Sequence, residues 1–365
     1  MTKKLSLTDK NNKEALEILE SYKRLVWPLI QKHLEPPRYP SAFQLPNKYK
    51  GDAEFHWKVI NTYPERRGKY LRPTLLILAG EAFGIDRKLL LNTAAAMQVS
   101  EDWLLIHDDI EDDSNLRRGK PALHMIYGDG LAINAGDSLH VVMWNILKDN
   151  FGILGNRKSL RILDEFYRIL SRTTLGQGVE ISWGKSNKKS FSDKDWFFIA
   201  DGKTSYYTIA GPLRLGGIIG GANNSQLEKL ANFGQILGRC FQLVDDLLDL
   251  VSKDYRGKGQ IMGNDIYESK KTLILGHLLR KTSLVDRKRV LRILRKSREE
   301  KTQREVVWII NKMEQYGSIN YARSVAQKLR TDAQRIFEKD LKFLSHEPAR
   351  GNLKTLINFV LERNR

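Results

Sequence analysis

Two copies of one acidic spacing limit what this chain can fold into. The first is Asp108-Asp109-Ile110-Glu111-Asp112 and the second is Asp245-Asp246-Leu247-Leu248-Asp249. Each reads D-D-x-x-D and each follows an apolar stretch of helical character. On a helix, residues four apart share a face, so Asp108 points with Asp112 and Asp245 with Asp249. Two like charges about 6 Å apart repel by roughly 3 kcal/mol at an effective dielectric near 20. A lone copy reads most simply as a solvated helix end. The second copy is different, because Phe241, Leu243, Val244, Leu247, Leu248 and Leu250 surround its acids. Carboxylates in apolar surroundings need a partner or a metal. Ligands that are all oxygen fit Mg²⁺, which takes one or two carboxylates and completes its shell with water and substrate phosphates.

The 365 residues are 41% hydrophobic, enough for a sizeable core without staples. Cys240 is the only cysteine, so no intrachain disulfide forms and a reducing, cytoplasmic compartment is expected. The first residues, MTKKLSLTDKNNKE, lack a signal-peptide core, and no apolar run approaches a membrane span. Sixty-one Lys and Arg against 43 Asp and Glu give a formal charge of +18, which favours anionic partners. The densest basic stretch runs from Arg280 to Lys301. It reads as a surface helix with a wet basic face. The interleaved aromatics of a nucleic-acid stripe are absent there.

The pattern is helical almost throughout, with weak strand-like alternation. A first amphipathic helix spans about 11–33, and a break containing Pro36, Pro37, Pro40 and Pro46 follows. Residues 1–50 are therefore expected to form an N-terminal helical arm. Further helices are expected over about 73–83, 88–109, 130–150, 158–181, 193–210, 214–219 and 226–251, and again from 271 onward. Ser192-Asp193-Lys194-Asp195 carries a helix start signal. The expected fold is all-α, a multi-helix bundle around a central cavity.

Basic residues recur at set distances from the acids: Lys69 and Arg72 upstream, Arg117 and Arg118 just after the first motif, then Lys203, Arg256, Lys258 and Lys270. They suggest two anion sites, one bridged by metal and one held by Lys and Arg directly. Guanidinium forks suit phosphate oxygens. A cavity with a charged mouth and an apolar depth suits an amphiphile with a diphosphate head.

These residues resemble the trans-isoprenyl diphosphate synthases of the polyprenyl synthetase family. The likeness runs from about Tyr63 to the C-terminus. It includes GKYLRP, LLIHDDIEDDSNLRRGKPALH, Gly136-Asp137, GQGVE, KTSYY, FQLVDDLLD and NDIYESKKT, in the family's order. The resemblance implies the isoprenoid synthase type I fold, with residues 51–365 as the synthase domain. It implies head-to-tail condensation of isopentenyl diphosphate with an allylic diphosphate. About three Mg²⁺ ions would be held by Asp108, Asp109, Asp112, Asp245, Asp246, Asp249 and Asp265. Arg117, Lys203, Thr204, Gln242 and Lys258 would serve the allylic diphosphate. Lys69, Arg72 and Arg118 would bind isopentenyl diphosphate. A homodimer is implied, with no nucleic-acid partner and no stable membrane insertion.

The chain departs from the family pattern at Glu101, seven residues before Asp108, where His or Gln is usual. A carboxylate beside a diphosphate must pair with a cation, and Arg72 and Arg118 are the expected partners. Glu180 replaces the more usual Asp after the GQ pair. Product length is implied by Trp103, Leu104 and Ser100 on the helix before Asp108. At 1.5 Å per residue, Leu104 and Trp103 lie about 6–7.5 Å deeper than the acids. An aromatic only at the deeper position suggests a geranylgeranyl product, with farnesyl or a longer chain as alternatives. A class I terpene cyclase would share the fold and the first motif, but would lack the isopentenyl-binding Lys and Arg. A silent partner subunit or a basic nucleic-acid-binding protein would leave the intact paired acids unexplained.

Overall fold

The computed structural model describes residues 7–185, 191–251 and 262–362. The described residues are mostly helical: α1 (Leu7–His33), α2 (Lys50–Glu65), α3 (Leu71–Ala82) and α4 (Leu91–Glu111) come first. A two-residue hairpin follows, β1 (Leu116–Arg117) paired antiparallel with β2 (Lys120–Pro121). Next are α5 (Leu123–Tyr127), α6 (Asp129–Leu154), α7 (Asn156–Lys185) and α8 (Asp193–Ala200). The helix of α8 continues as a π-helical segment, Asp201–Ala210, and then as α9 (Gly211–Gly220). The remainder is α10 (Asn224–Val251), α11 (Asn264–Tyr267), α12 (Leu273–Lys281), α13 (Leu284–Leu294), α14 (Gln303–Gln315), α15 (Ser318–Asp340) and α16 (Ala349–Glu362).

Local chemistry sets several of these boundaries. Ser192 and Asp195 form a reciprocal capping box at the start of α8, where the sequence signal placed it. Thr302 and Glu305 do the same for α14, and the Ser283 hydroxyl caps α13. The helix α1 buries Ala15, Leu19, Tyr22, Val26 and Ile30, a stripe at helical spacing, in the same core as α3, α4 and α16. The expected N-terminal arm is thus built into the bundle rather than laid beside it.

Two apolar clusters meet along α10. Its first half, with Phe233, Leu237 and Cys240, belongs to the larger core. Its second half, with Leu243, Leu247 and Leu250, belongs to a smaller core shared with α8 and α12–α15. The second acidic motif lies where the two cores meet.

The π-helical segment carries Lys203 and Thr204 between α7 and α10. Close approach demands glycine on both sides. A Cβ at Gly176 of α7 would lie 2.9 Å from the Lys203 backbone nitrogen, and one at Gly238 of α10 would lie 2.4 Å from the Ser205 Cα. The glycine of the GQ pair therefore has a packing cause. Gly238→Ala should destabilise the fold by about 1–3 kcal/mol through overpacking. A lowered urea midpoint at unchanged slope checks it.

Candidate active site

The C-terminal end of α4 delivers the first acidic row. Asp109 does not face the cleft. It is fully buried, accepts a hydrogen bond from the Tyr63 hydroxyl at 2.6 Å, and accepts from Arg117 Nε at 2.9 and 3.0 Å through its two oxygens. Where the resemblance implies a metal ligand, the Asp109 oxygens already anchor Arg117 and Tyr63. The same guanidinium reaches Asp108 at 3.2 Å. Arg117 stays charged, because burial is outweighed by Asp109 and Asp108.

Asp108 and Asp112 turn together, as their spacing requires, toward one ammonium. Lys203 Nζ lies 3.2 Å from Asp108, 3.8 Å from Asp112 and 2.9 Å from Glu180 of α7. Burial works against the Lys203 charge, but Asp108, Glu180 and Asp112 outweigh it and raise its pKa. A second ammonium, Lys270, lies 3.6 Å from Asp112, 3.5 Å from Asp265 and 2.5 Å from Glu268. Its pKa is raised for the same reason. Glu180 and Glu268 thus complete the charge pattern. Glu268 was not foreseen from sequence, since a single acid in a polar loop carries no pattern of its own.

The second acidic row sits on α10. Asp245, Asp246 and Asp249 line the cleft, as does Asp265 on α11. Asp249 accepts from the backbone N–H groups of Asn264 and Asp265, both at 3.1 Å, and so fixes the start of the segment that carries Asp265. Thr204 donates to Gln242 at 2.6 Å, and Gln242 donates to one oxygen of Asp246 at 2.8 Å. The other Asp246 oxygen is buried without a hydrogen-bond partner among the described residues. Burial, then Asp265, pushes the Asp249 carboxyl up to about 8. Asp246 and Asp265 are raised in the same direction, with burial the leading cause. Among the described residues no group of three or more His, Cys, Asp or Glu is placed to hold a metal ion by itself.

The same cleft is lined by Lys69, Arg72, Arg118 and Glu101. Glu101 pairs with both expected cations, Arg72 at 3.0 Å and Arg118 at 3.3 Å. Burial opposes its charge, but the two arginines hold its carboxyl below the usual range. Arg72 also donates to the Thr208 hydroxyl at 2.9 Å and lies over the Tyr207 ring. Arg118 also reaches Asp102 at 3.3 Å, whose carboxyl burial pushes up to about 6. Arg67, Tyr70 and Arg118 have positive φ of 45°, 59° and 55°, a costly conformation outside glycine. Such strain is invisible in the sequence pattern, and all three residues line the cleft.

The cleft has a volume of about 830 Å³. Its wall also includes Leu19 and Lys23 of α1, which sequence reasoning had set apart as an arm. Of the three residues expected to set product length, none lines it; Leu105 does. Trp103 is 7% exposed, with its ring 4.8 Å from that of His140 on α6 and 5.7 Å from that of His107. Ser100 is buried, its hydroxyl 3.1 Å from that of Tyr207, and Leu104 packs on the main core. Trp103 thus packs between α4 and α6. Arg256 and Lys258 lie outside the described residues.

Residues 54–313 match the polyprenyl synthetase family. The short chain isoprenyl diphosphate synthase of Methanothermobacter thermautotrophicus is 33% identical over 296 residues, covering 81% of this chain and 86% of that protein. The geranylgeranyl diphosphate synthase of Methanosarcina mazei is 31% identical, covering 71% of this chain and 76% of its own. In structure, the chain is similar to the geranylgeranyl pyrophosphate synthetase of Pyrococcus horikoshii. The TM-score is 0.81 at 28% identity, covering 96% of this chain and 99% of that one. The chain belongs to the polyprenyl synthetase family, and its all-α bundle is that of the isoprenyl diphosphate synthases.

Two outcomes are expected from this geometry. A carboxyl raised from 3.8 to about 8 in the fold stabilises below its unfolded pKa and loses that contribution as pH rises through about 8. Asp246 and Asp265 add in the same direction. The metal-free melting temperature should therefore fall between pH 4 and 8, and Mg²⁺ should raise it more at pH 8 than at pH 6. Scanning fluorimetry with chelator or Mg²⁺ checks both. Second, Glu101→Gln releases Arg72 and Arg118 from their shared carboxylate. It should change KM for isopentenyl diphosphate by about 3–10-fold, near 1 kcal/mol, with KM for the allylic substrate little changed.

Proposed function

We propose that this cleft condenses isopentenyl diphosphate with an allylic diphosphate, head to tail. The product is an all-trans prenyl diphosphate of short to medium length, geranylgeranyl diphosphate foremost. The observation that carries this reading is a single cleft lined by acids of both motifs, Asp108 and Asp245, and by Lys69, Arg72 and Arg118. Family membership and the activities named for the two sequence relatives support it. A terpene cyclase would have no use for the basic trio.

The residues fit Mg²⁺. The donors are oxygen only, and one buried Asp246 oxygen has no hydrogen-bond partner among the described residues. Asp108 and Asp112 from α4, with Asp245, Asp246 and Asp265, would hold the ions. Asp249 would act through the segment it fixes, and Asp109 through Arg117. When bound, Mg²⁺ neutralises diphosphate oxygens and stabilises the charge that develops on the departing group.

Arg117 and Lys203 grip the allylic diphosphate, with Lys258 assigned there by resemblance. Lys69, Arg72 and Arg118 hold the second diphosphate. As the allylic C–O bond breaks, the diphosphate keeps the electron pair and leaves an allylic cation. Arg117 and Lys203, preorganised by Asp109 and Glu180, stabilise the leaving charge. Thr204 and Gln242 turn lone pairs toward the cation. The isopentenyl double bond attacks it, and the proton then lost passes to the freed diphosphate. No protein base is required.

The working unit is a homodimer in the cytoplasm. Met125, Ile126, Leu131, Ile133, Val141 and Trp144 on α5 and α6 expose apolar surface that a second copy would cover. The lone buried thiol of Cys240 suits a reducing compartment. Among the described residues no helix is long and apolar enough to cross a membrane.

Incubation with isopentenyl diphosphate, Mg²⁺ and each short allylic diphosphate, with products read by mass spectrometry, tests the reading. Asp108→Ala or Asp245→Ala should lower turnover by about 10²–10³-fold or more at unchanged helicity. Near-parental turnover in either variant contradicts the metal assignment. Sedimentation at micromolar concentration should give a dimer, and a monomer alone contradicts it.

A further inference from the structure

We propose that the outward face of α13 docks this protein on an anionic phospholipid bilayer. This surface plays no part in the proposed reaction and is argued from its own residues. Between Arg280 and Arg298, nine Lys and Arg stand against one acid, Asp286. That acid is already paired, 3.0 Å from Lys312 of α14. The inner face of α13 buries Val290, Ile293 and Leu294 in the smaller core, which fixes the orientation of the helix. Its outer face is therefore set: Lys288, Arg292 and Arg295 follow one another at helical spacing, all exposed. Among the described residues none of the three has an ion-pair partner.

At the head of this basic row stand two apolar side chains, Leu284 and Val285, 75% and 78% exposed. Among the described residues little covers them, although each could have been polar at no cost to the core. Ser283 caps the helix there and holds the corner in place. Two adjacent apolar groups at a helix corner, followed by a row of cations, match a bilayer interface. The apolar pair enters the headgroup boundary while lysine and arginine meet lipid phosphates. A nucleic acid would use the cations and gain nothing from Leu284 and Val285. The far end of α13 lies beside the cleft: the Leu294 carbonyl accepts from Ser269, next to Lys270, and Arg298 donates to Asn264 of the cleft wall. A docked α13 would thus hold the cleft close to the lipid surface, where an amphiphilic product can leave without crossing water.

Co-sedimentation of the full chain with phosphatidylcholine vesicles, with and without phosphatidylglycerol, tests this. Binding is expected only with phosphatidylglycerol. Leu284→Ser with Val285→Ser, and separately Lys288→Glu with Arg292→Glu, should each weaken it about 10-fold or more. Both double variants should keep parental helicity and turnover on soluble substrates. Equal recovery on the two vesicle types overturns the proposal. So does binding that survives either double variant, or retention of RNA that is indifferent to Leu284 and Val285 while anionic vesicles are ignored.

Discussion

Two ammonium groups, Lys203 and Lys270, stand between carboxylates that would otherwise face one another across the cleft. Lys203 joins the α4 row to Glu180 of α7. Lys270 joins the same row to Asp265 and Glu268. Removing one partner of a buried ionic cluster typically costs about 3–5 kcal/mol, because the remaining charges are left uncompensated. The bundle therefore depends on these lysines whenever no divalent ion is present. The same arrangement makes room for metal. A cation that arrives with diphosphate would take over the carboxylates, and the lysines can then turn to phosphate oxygens.

Backbone features hold the lysines in position. Lys203 rides on a π-helical turn clamped by two glycine contacts, Gly176 from α7 and Gly238 from α10. Lys270 follows Ser269, whose φ is +58°. Arg67, Tyr70 and Arg118 adopt the same left-handed region around the second diphosphate end. Strain of this kind persists only where surrounding packing dictates it, and here it aims charged groups at one cleft. At that end Glu101 sits between Arg72 and Arg118, so two guanidinium groups are oriented before any substrate arrives.

Most of the helices were legible in the sequence, because apolar spacing and caps such as Ser192 to Asp195 act locally. The acidic rows were legible as well, since their four-residue spacing has one meaning on a helix. The pairing of Glu101 followed from its charge together with the place that the resemblance gives it beside Arg72 and Arg118. What the sequence hid depends on direction and on distant contacts. Asp109 and Asp108 are neighbours of identical chemistry, yet one faces Tyr63 and Arg117 while the other faces Lys203. The direction of the Trp103 ring, which packs against that of His140, is likewise not written in its spacing. The stripe on α1 predicted a buried face but not that α3, α4 and α16 would cover it. Glu268 gained its place only because α11 folds back onto Asp249.

The dependence of the fold on these lysines can be measured directly with Lys270→Met, compared with the parent by thermal melting in chelator and in Mg²⁺. The account predicts that the variant melts well below the parent in chelator, since Asp112, Asp265 and Glu268 lose their shared cation. A loss near 3 kcal/mol corresponds to roughly 4 °C in a chain of this size. It also predicts that Mg²⁺ recovers more stability in the variant than in the parent. Equal melting of the two proteins in chelator would contradict it.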